Sequence, residues 1–157
     1  MTGADKAFEG SIPSIYQRYM VPMLFEPYAR LMAERVARCA PQRVLELAAG
    51  TGVVTRHLAS ILEPDVQIMA TDLNQAMLDA AAALQRSGGQ VSFRQADAQS
   101  LPFGDESFDV VLCQFGVMFF PDKAQAYREA RRVLIERGTY IFAVYSLYGT
   151  ASLLTNS

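Results

Sequence analysis

The residues best suited to bind a ligand or to take part in chemistry are two acids and a pair of glycines, which lie in or just after short apolar runs. The run from Val44 to Leu47 contains Glu46 and leads into Gly50-Thr51-Gly52, and a second run ends in Asp72. Glycines leave the backbone open to a ligand and accept a positive φ. The N–H groups of a helix that starts there favour negative charge. The pattern predicts a buried strand that turns into a helix above a ligand site.

The spacing of these residues indicates which kind of ligand would bind. Asp72 lies twenty residues after Gly52, and Thr55 occupies the third glycine position of a dinucleotide fingerprint. A carboxylate at the tip of the second strand can accept hydrogen bonds from both hydroxyls of a ribose. Glu46 suits a cationic group better than a pyrophosphate. A nucleoside that also carries a sulfonium and an α-amino group meets both conditions, so the residues predict S-adenosylmethionine.

With these residues in view, the chain resembles the class I S-adenosylmethionine-dependent methyltransferases. It is similar to their small-molecule group, which includes enzymes of ubiquinone and menaquinone biosynthesis. The stretch VLELAAGTG resembles the family's E-x-G-x-G-x-G motif, with Ala48 at the first glycine position. Further motifs follow in the family's order, namely Asp97-Ala98, Leu101-Pro102-Phe103, and Arg131-Arg132-Val133-Leu134 with Gly138. The resemblance runs from residue 41 to about 145.

The resemblance implies a set of cofactor contacts but no catalytic group. It implies that Asp72 binds the ribose hydroxyls and that Asp97 and Ala98 read the adenine edge. Methyl transfer is an in-line displacement that positioning can support, so a base is required only when the acceptor must lose a proton. The only histidine, His57, is expected to be a solvated helix residue, and no metal site is expected. The expected cofactor-binding residues are Tyr16, Glu46, Ala48, Gly50, Thr51, Gly52, Asp72, Leu73, Asp97, Ala98, Gln114 and Phe115.

Strands alternate with helices along the chain, which predicts an α/β, Rossmann-like, doubly wound parallel sheet. Residues 1–40 are expected to form an N-terminal segment and helix, and residues 41–157 the cofactor-binding domain. Asn74 is a predicted N-cap, and Asp122 with Gln125 resembles a capping box. The expected strands are 43–48, 66–71, 90–95, 108–113 and 139–145, and the helix from Asn74 is expected to stop at Gly88-Gly89.

The C-terminus departs from the family pattern, because only twelve residues follow Tyr145. The family usually continues through a helix and strands six and seven, so we expect a truncated domain of five strands. Strand five would then be an exposed edge that promotes self-association. Two alternatives to an active methyltransferase stay open. One is a cofactor-binding fragment or pseudo-enzyme without activity, and the other is a nicotinamide-dependent oxidoreductase, which Thr55 and the lack of a Tyr-x-x-x-Lys pair disfavour.

Composition restricts the expected partners and compartment. A net charge of −2 gives no electrostatic basis for binding nucleic acid. No signal peptide and no run long enough for a membrane span is visible, and two isolated cysteines fit a cytoplasmic protein. A small, partly apolar methyl acceptor is expected in a pocket lined by aromatic and aliphatic side chains. Alternatively, Met118, Phe119 and Phe120 simply pack a loop against the core. The expected lining residues are Tyr16, Tyr19, Phe115, Met118, Phe119 and Tyr145.

Overall fold

The computed structural model describes residues 16–86, 89–145 and 151–156. A π-helical segment, Tyr16–Phe25, leads into the first α-helix. The helices are α1 (Glu26–Ala37), α2 (Val53–Ile61), α3 (Gln75–Leu84) and α4 (Lys123–Val133), with a 3-10 turn at Val117–Phe119. The strands are β1 (Arg43–Leu47), β2 (Gln67–Asp72), β3 (Val91–Gln95), β4 (Phe108–Gln114), β5 (Leu134–Tyr145) and β6 (Ala151–Asn156). No helix in these ranges is both long enough and apolar enough to cross a bilayer.

The strands form one sheet in the order β3-β2-β1-β4-β5-β6. The first five strands are parallel, and β1 lies at the centre between β2 and β4. From β1 the chain adds β2 and β3 on one side, and it then adds β4, β5 and β6 on the other side. In sheets of this kind a ligand crevice forms between β1 and β4, beyond the carboxyl ends of the strands. The predicted Rossmann-like, mostly parallel α/β fold is confirmed.

The sixth strand shows that the prediction of a five-stranded sheet with an exposed strand-five edge was wrong. β6 pairs antiparallel with β5, from Tyr140 opposite Asn156 to Tyr145 opposite Ala151. Twelve residues are too few for the helix and hairpin of the family, whereas an antiparallel return needs only a short connection. β6 occupies the edge of β5 through which self-association was expected, so the basis for that expectation is not met, and self-association itself stays a prediction.

Helices cover both faces of the sheet because the central strands are apolar on both sides. One core joins the buried side chains of α1 and α2 to Val44, Val110 and Leu112, and the other joins α4 to Leu45 and Val111. The helix α1 shares its core with the sheet, since Ala29, Met32, Ala33 and Val36 are all buried in it. The proposed domain boundary between residues 40 and 41 stays a prediction.

The two predicted helix caps are present, but one is built differently from the expected box. The Asn74 side chain accepts hydrogen bonds from the backbone N–H groups of Ala76 and Met77. Asp122 Oδ1 accepts from the Gln125 N–H at 2.9 Å. The reciprocal bond comes from elsewhere, because the Asp122 N–H donates to Gln99 Oε1 at 2.7 Å.

Two element boundaries differ from their predictions by more than one residue. Helix α3 ends at Leu84, before the predicted stop at Gly88-Gly89, of which Gly88 lies outside the described residues. Strand β5 begins at Leu134 rather than at residue 139, because Leu134 already pairs with Phe108. The register between β4 and β5 then shifts before Val110 pairs with Thr139. An irregularity of this kind interrupts the two-residue alternation that marks a strand in sequence.

Candidate functional site

The glycine turn between β1 and α2 has an unusual backbone. Ala48, Gly50 and Gly52 have positive φ angles of 52°, 57° and 75°. Gly52 is the N-cap of α2 and has no side chain that could accept from the helix N–H groups. The first N–H groups of a helix lack intrahelical partners. They therefore remain suited to a negatively charged or polar ligand group.

Ala48, which stands where the family motif has a glycine, is accommodated by Gly116. A Cβ atom added at Gly116 would lie 2.5 Å from the Ala48 Cβ and 2.9 Å from the Cys113 Sγ. Real Cβ atoms do not approach other atoms this closely. Gly116 therefore provides the space that the methyl group of Ala48 fills, and Ala48 keeps a left-handed backbone that favours glycine.

We expect Ala48→Gly to raise the free energy of unfolding by about 1 kcal/mol, because glycine adopts a positive φ without steric cost. Denaturant titration followed by circular dichroism measures this change. Ala49→Gly is the matched control, since Ala49 is 6% exposed and does not have a positive φ, so its loss of a buried methyl group should destabilise the chain. A less stable Ala48→Gly variant would show that Ala48 is not strained.

Glu46 is a buried acid with a defined partner. Its side chain is 2% exposed, and Thr55 Oγ1 donates a hydrogen bond to its Oε2 at 2.5 Å. Burial raises the pKa of Glu46 to about 8, although the Thr55 bond and the charge of Arg56 act in the opposite direction. Thr55, at the missing third glycine position, thus serves to bind Glu46. Because the ionised carboxylate is poorly compensated here, an additional cationic ligand group would stabilise it.

Asp72 ties the glycine turn to the start of α3. Its Oδ2 accepts from the Gly50 N–H at 2.9 Å, and its Oδ1 accepts from the Asn74 N–H at 2.9 Å. Burial raises the pKa of Asp72, and the backbone hydrogen bonds from Asn74, Gly50 and Leu73 lower it in part. Each carboxylate oxygen has two lone pairs. Asp72 can therefore hold the turn and still accept hydrogen bonds from a ligand diol.

The residues expected to contact adenine lie beside Asp72. The Ala96 N–H donates to the Asp72 carbonyl at 3.0 Å, which places the ends of β2 and β3 together. Asp97 Oδ1 accepts from the Gln99 N–H at 2.8 Å. Ala98 is buried, whereas the Leu73 side chain is 48% exposed. The structure therefore brings the Asp72-Leu73 and Asp97-Ala98 pairs to one edge of the sheet.

The residues expected to line the acceptor pocket differ in how much of their surface is exposed to solvent. Phe115 is 3% exposed and stacks on Tyr145 with 4.2 Å between ring centroids. Tyr19 and Phe119 face outward, with 55% and 80% of their surfaces exposed. Met118 packs against the core. Tyr16 begins the π-helical segment, and its side chain lies outside the described part of the chain.

Sequence reasoning overlooked Arg56 and described His57 incompletely. Arg56 Nη1 donates to the Thr51 carbonyl in the glycine turn at 2.6 Å. Desolvation lowers the pKa of Arg56, while the charges of Glu26 and Glu46 raise it. His57 is not a freely solvated residue, because its Nε2 lies 2.6 Å from Glu26 Oε1 in α1. The sequence did contain a signal for Arg56: it lies one helical turn after Gly52, so its side chain can reach back to the glycine turn.

Three acids therefore follow one another along the carboxyl edge of the sheet. Glu46 is in β1, Asp72 ends β2, and Asp97 follows β3. The arrangement suits an extended ligand with a cationic group near β1, a diol near β2 and a heterocycle near β3. S-adenosylmethionine has these groups in this order, so the residues present fit the predicted cofactor.

Comparison with known proteins identifies the family. Residues 45–142 match the family described as methyltransferase domain. The ubiquinone/menaquinone biosynthesis C-methyltransferase UbiE of Ectopseudomonas mendocina (strain ymp) is 40% identical over 114 residues, which cover 71% of this chain and 44% of that protein. The demethylmenaquinone methyltransferase of Thermotoga maritima is 35% identical over 114 residues, with coverage of 73% and 48%. The crystal structure of YcgJ from Bacillus subtilis aligns with a TM-score of 0.68 and 28% identity, covering 76% of this chain and 51% of that one.

The matched region contains every candidate cofactor-binding residue except Tyr16. The chain spans less than half the length of the two curated relatives. The family match nevertheless begins within β1 and ends within β5, so it includes the glycine turn and the carboxyl ends of the first four strands. The chain belongs to the methyltransferase domain family.

Proposed function

We propose that this chain binds S-adenosylmethionine and forms the cofactor-binding part of a methyltransferase that acts on a small, partly apolar molecule. The observation that carries the proposal is the succession of Glu46, Asp72 and Asp97 at the carboxyl ends of neighbouring strands, next to a glycine turn. When bound, the cofactor supplies an electrophilic methyl group. The residues described here would hold it and exclude water from it.

Each candidate residue has a distinct proposed task. Asp72 holds the ribose hydroxyls, Glu46 favours the cationic end of the cofactor, and Asp97 reads the adenine edge. The turn supplies backbone N–H groups and space. The remaining proposed cofactor contacts are Tyr16, Ala48, Gly50, Thr51, Gly52, Leu73, Ala98 and Phe115. Gln114, which the sequence predicts to contact the cofactor, is proposed to face the methyl acceptor instead.

We propose an aromatic or quinone-like molecule as the methyl acceptor. The relatives are named for ubiquinone/menaquinone biosynthesis and for demethylmenaquinone. The rings of Phe25, Tyr28 and Tyr145 surround Phe115 at the end of β4, which supports an apolar acceptor site nearby. The net charge of −2 supports a small molecule over nucleic acid. The free thiols of Cys39 and Cys113 support a cytoplasmic location.

The direct test combines a calorimetric titration with a methyl-transfer assay. We expect S-adenosylmethionine to bind and NADH not to bind. Transfer of a labelled methyl group is then measured against a panel of hydroquinones, phenols and amines. Cofactor binding without transfer to any of them would favour the alternative of a cofactor-binding module without activity. Binding of NADH alone would contradict the proposal.

The raised pKa of Glu46 predicts that the affinity for the cofactor depends on pH. Its pKa of about 8 in the cofactor-free chain means that it is mostly protonated at pH 6. If binding the cationic cofactor requires the carboxylate, affinity should increase by about tenfold per pH unit between pH 6 and 7.5. Calorimetry over this range should show a proton released from the protein on binding. Glu46→Gln, which can still accept from Thr55, should abolish both effects, and an unchanged pH slope in this variant would contradict the assignment.

A further inference from the structure

Gln114 is the last residue of β4. The nitrogen of its side-chain amide makes a hydrogen bond, whereas the oxygen has no hydrogen-bond donor among the described residues. Its Nε2 donates to the Phe25 carbonyl at 3.2 Å. Its Oε1 is buried and has no hydrogen-bond donor among the described residues. Reversing the amide would not help, because a carbonyl can only accept and the bond to Phe25 therefore requires the nitrogen. A buried acceptor without a donor is costly, so Oε1 marks a place for a ligand donor.

The register of the sheet shows where this oxygen lies. Side chains alternate between the faces of a strand, so Gln114 is on the same face as Val110 and Leu112. That face also carries Glu46, because Glu46 is the register partner of Leu112. Gln114 therefore lies one strand away from Glu46 and two residues further toward the open edge of the sheet. This is the side on which α1 packs.

Gln114 lies among aromatic residues. Phe115 follows it directly in the chain, and the backbone carbonyl of Phe25 accepts from its Nε2. The Phe25 and Phe115 ring centroids are 5.6 Å apart, and Tyr28 meets Phe115 edge to face at 5.5 Å. A hydrogen-bond acceptor without a donor, in a part of the site that is rich in aromatic residues, is suited to a flat molecule that carries a donor group at its edge.

We propose that Gln114 recognises the methyl acceptor, with Oε1 accepting a hydrogen bond from a hydroxyl group on an aromatic ring while Nε2 holds the start of α1. This inference rests on the proposed function. The cationic end of the cofactor already has a partner in Glu46, which leaves the Gln114 oxygen for the second substrate. An acceptor that lacks the hydroxyl would leave Oε1 unsatisfied, so the residue sets specificity as well as position.

The test measures binding, so it does not depend on turnover. The probes are 1-naphthol and 1-methoxynaphthalene, titrated in the presence of saturating S-adenosylhomocysteine. We expect the unsubstituted chain to bind the naphthol roughly ten- to a hundredfold more tightly than the ether. Gln114→Met keeps the unbranched length without polar atoms and should remove this preference. Gln114→Glu keeps an acceptor oxygen but loses the bond to Phe25, so it should retain the preference and thereby separate recognition from the structural contact.

Gln85 provides the matched control within the chain. Its Oε1 is also buried without a partner, but it lies at the end of α3 that points away from the site. Gln85→Met should leave the naphthol preference unchanged. The inference fails if the unsubstituted chain does not distinguish the two probes, including the case in which it binds neither. It also fails if Gln114→Met instead weakens S-adenosylmethionine binding by about tenfold, because the donor would then belong to the cofactor.

Discussion

Asp72→Ala is expected to weaken S-adenosylmethionine binding by about 1.5–3 kcal/mol, or roughly ten- to a hundredfold in Kd, because it removes the charge-assisted hydrogen bonds that we propose to the ribose. The structure adds a second reason for a large effect. The same carboxylate accepts from the backbone N–H groups of Gly50 and Asn74. Alanine would leave both donors without this partner and loosen the turn that shapes the site. Isothermal calorimetry on the folded variant measures the loss.

Two control variants separate these contributions. Asp72→Asn keeps one oxygen that can accept from a backbone N–H, so it should retain more of the turn than alanine while still losing the charge. Asp65→Ala removes an exposed acid after α2 and should bind the cofactor as the parent chain does. A folded Asp72→Ala chain with unchanged affinity would disprove the assignment of Asp72 to the ribose.

Gly50→Val is expected to abolish measurable cofactor binding, and to lower the free energy of unfolding by about 1–3 kcal/mol. Gly50 has a φ of 57°, a conformation that a β-branched residue adopts only under strain. In the proposed site, the new side chain would also take up space that the cofactor needs. Thermal denaturation with and without S-adenosylmethionine measures both effects, since a ligand that binds only the native state raises the melting temperature.

Gly89 supplies the matched glycine control. A Cβ atom added there would meet nothing within 4 Å, and its φ is not in the left-handed range. Gly89→Val should therefore keep both its stability and the stabilising effect of the cofactor. If Gly50→Val shows the same shift in melting temperature with cofactor as the parent chain, Gly50 does not face the ligand.

The parts of the fold that were predictable are those that local sequence patterns determine. Apolar runs that end in glycine or in an acid gave β1 and β2, because a buried parallel strand must be apolar on both faces. Asn74 was recognisable as an N-cap because a short side-chain oxygen can accept from the free N–H groups of a helix. Asp109, near the start of β4, has a structural role, because its Oδ2 accepts from the backbone N–H groups of Gln42 and Arg43.

The features that escaped prediction depend on contacts between distant segments. β6 is a strand because β5 offers it an unpaired edge, and no property of the segment 151–156 alone reveals this. The role of Thr55 required knowing that its hydroxyl reaches Glu46. The unsatisfied oxygen of Gln114 is likewise invisible in sequence, since it depends on the burial of that oxygen and on the position of Phe25.

The 2.5 Å approach between Ala48 and a Cβ at position 116 also limits which substitutions this sequence can accept. With alanine at position 48, the backbone as it stands leaves room only for glycine at position 116. Returning position 48 to glycine would not by itself free position 116, because a Cβ there would still lie 2.9 Å from the Cys113 Sγ. Positions 48, 113 and 116 therefore behave as one unit of substitution, although sixty-eight positions separate the first from the last.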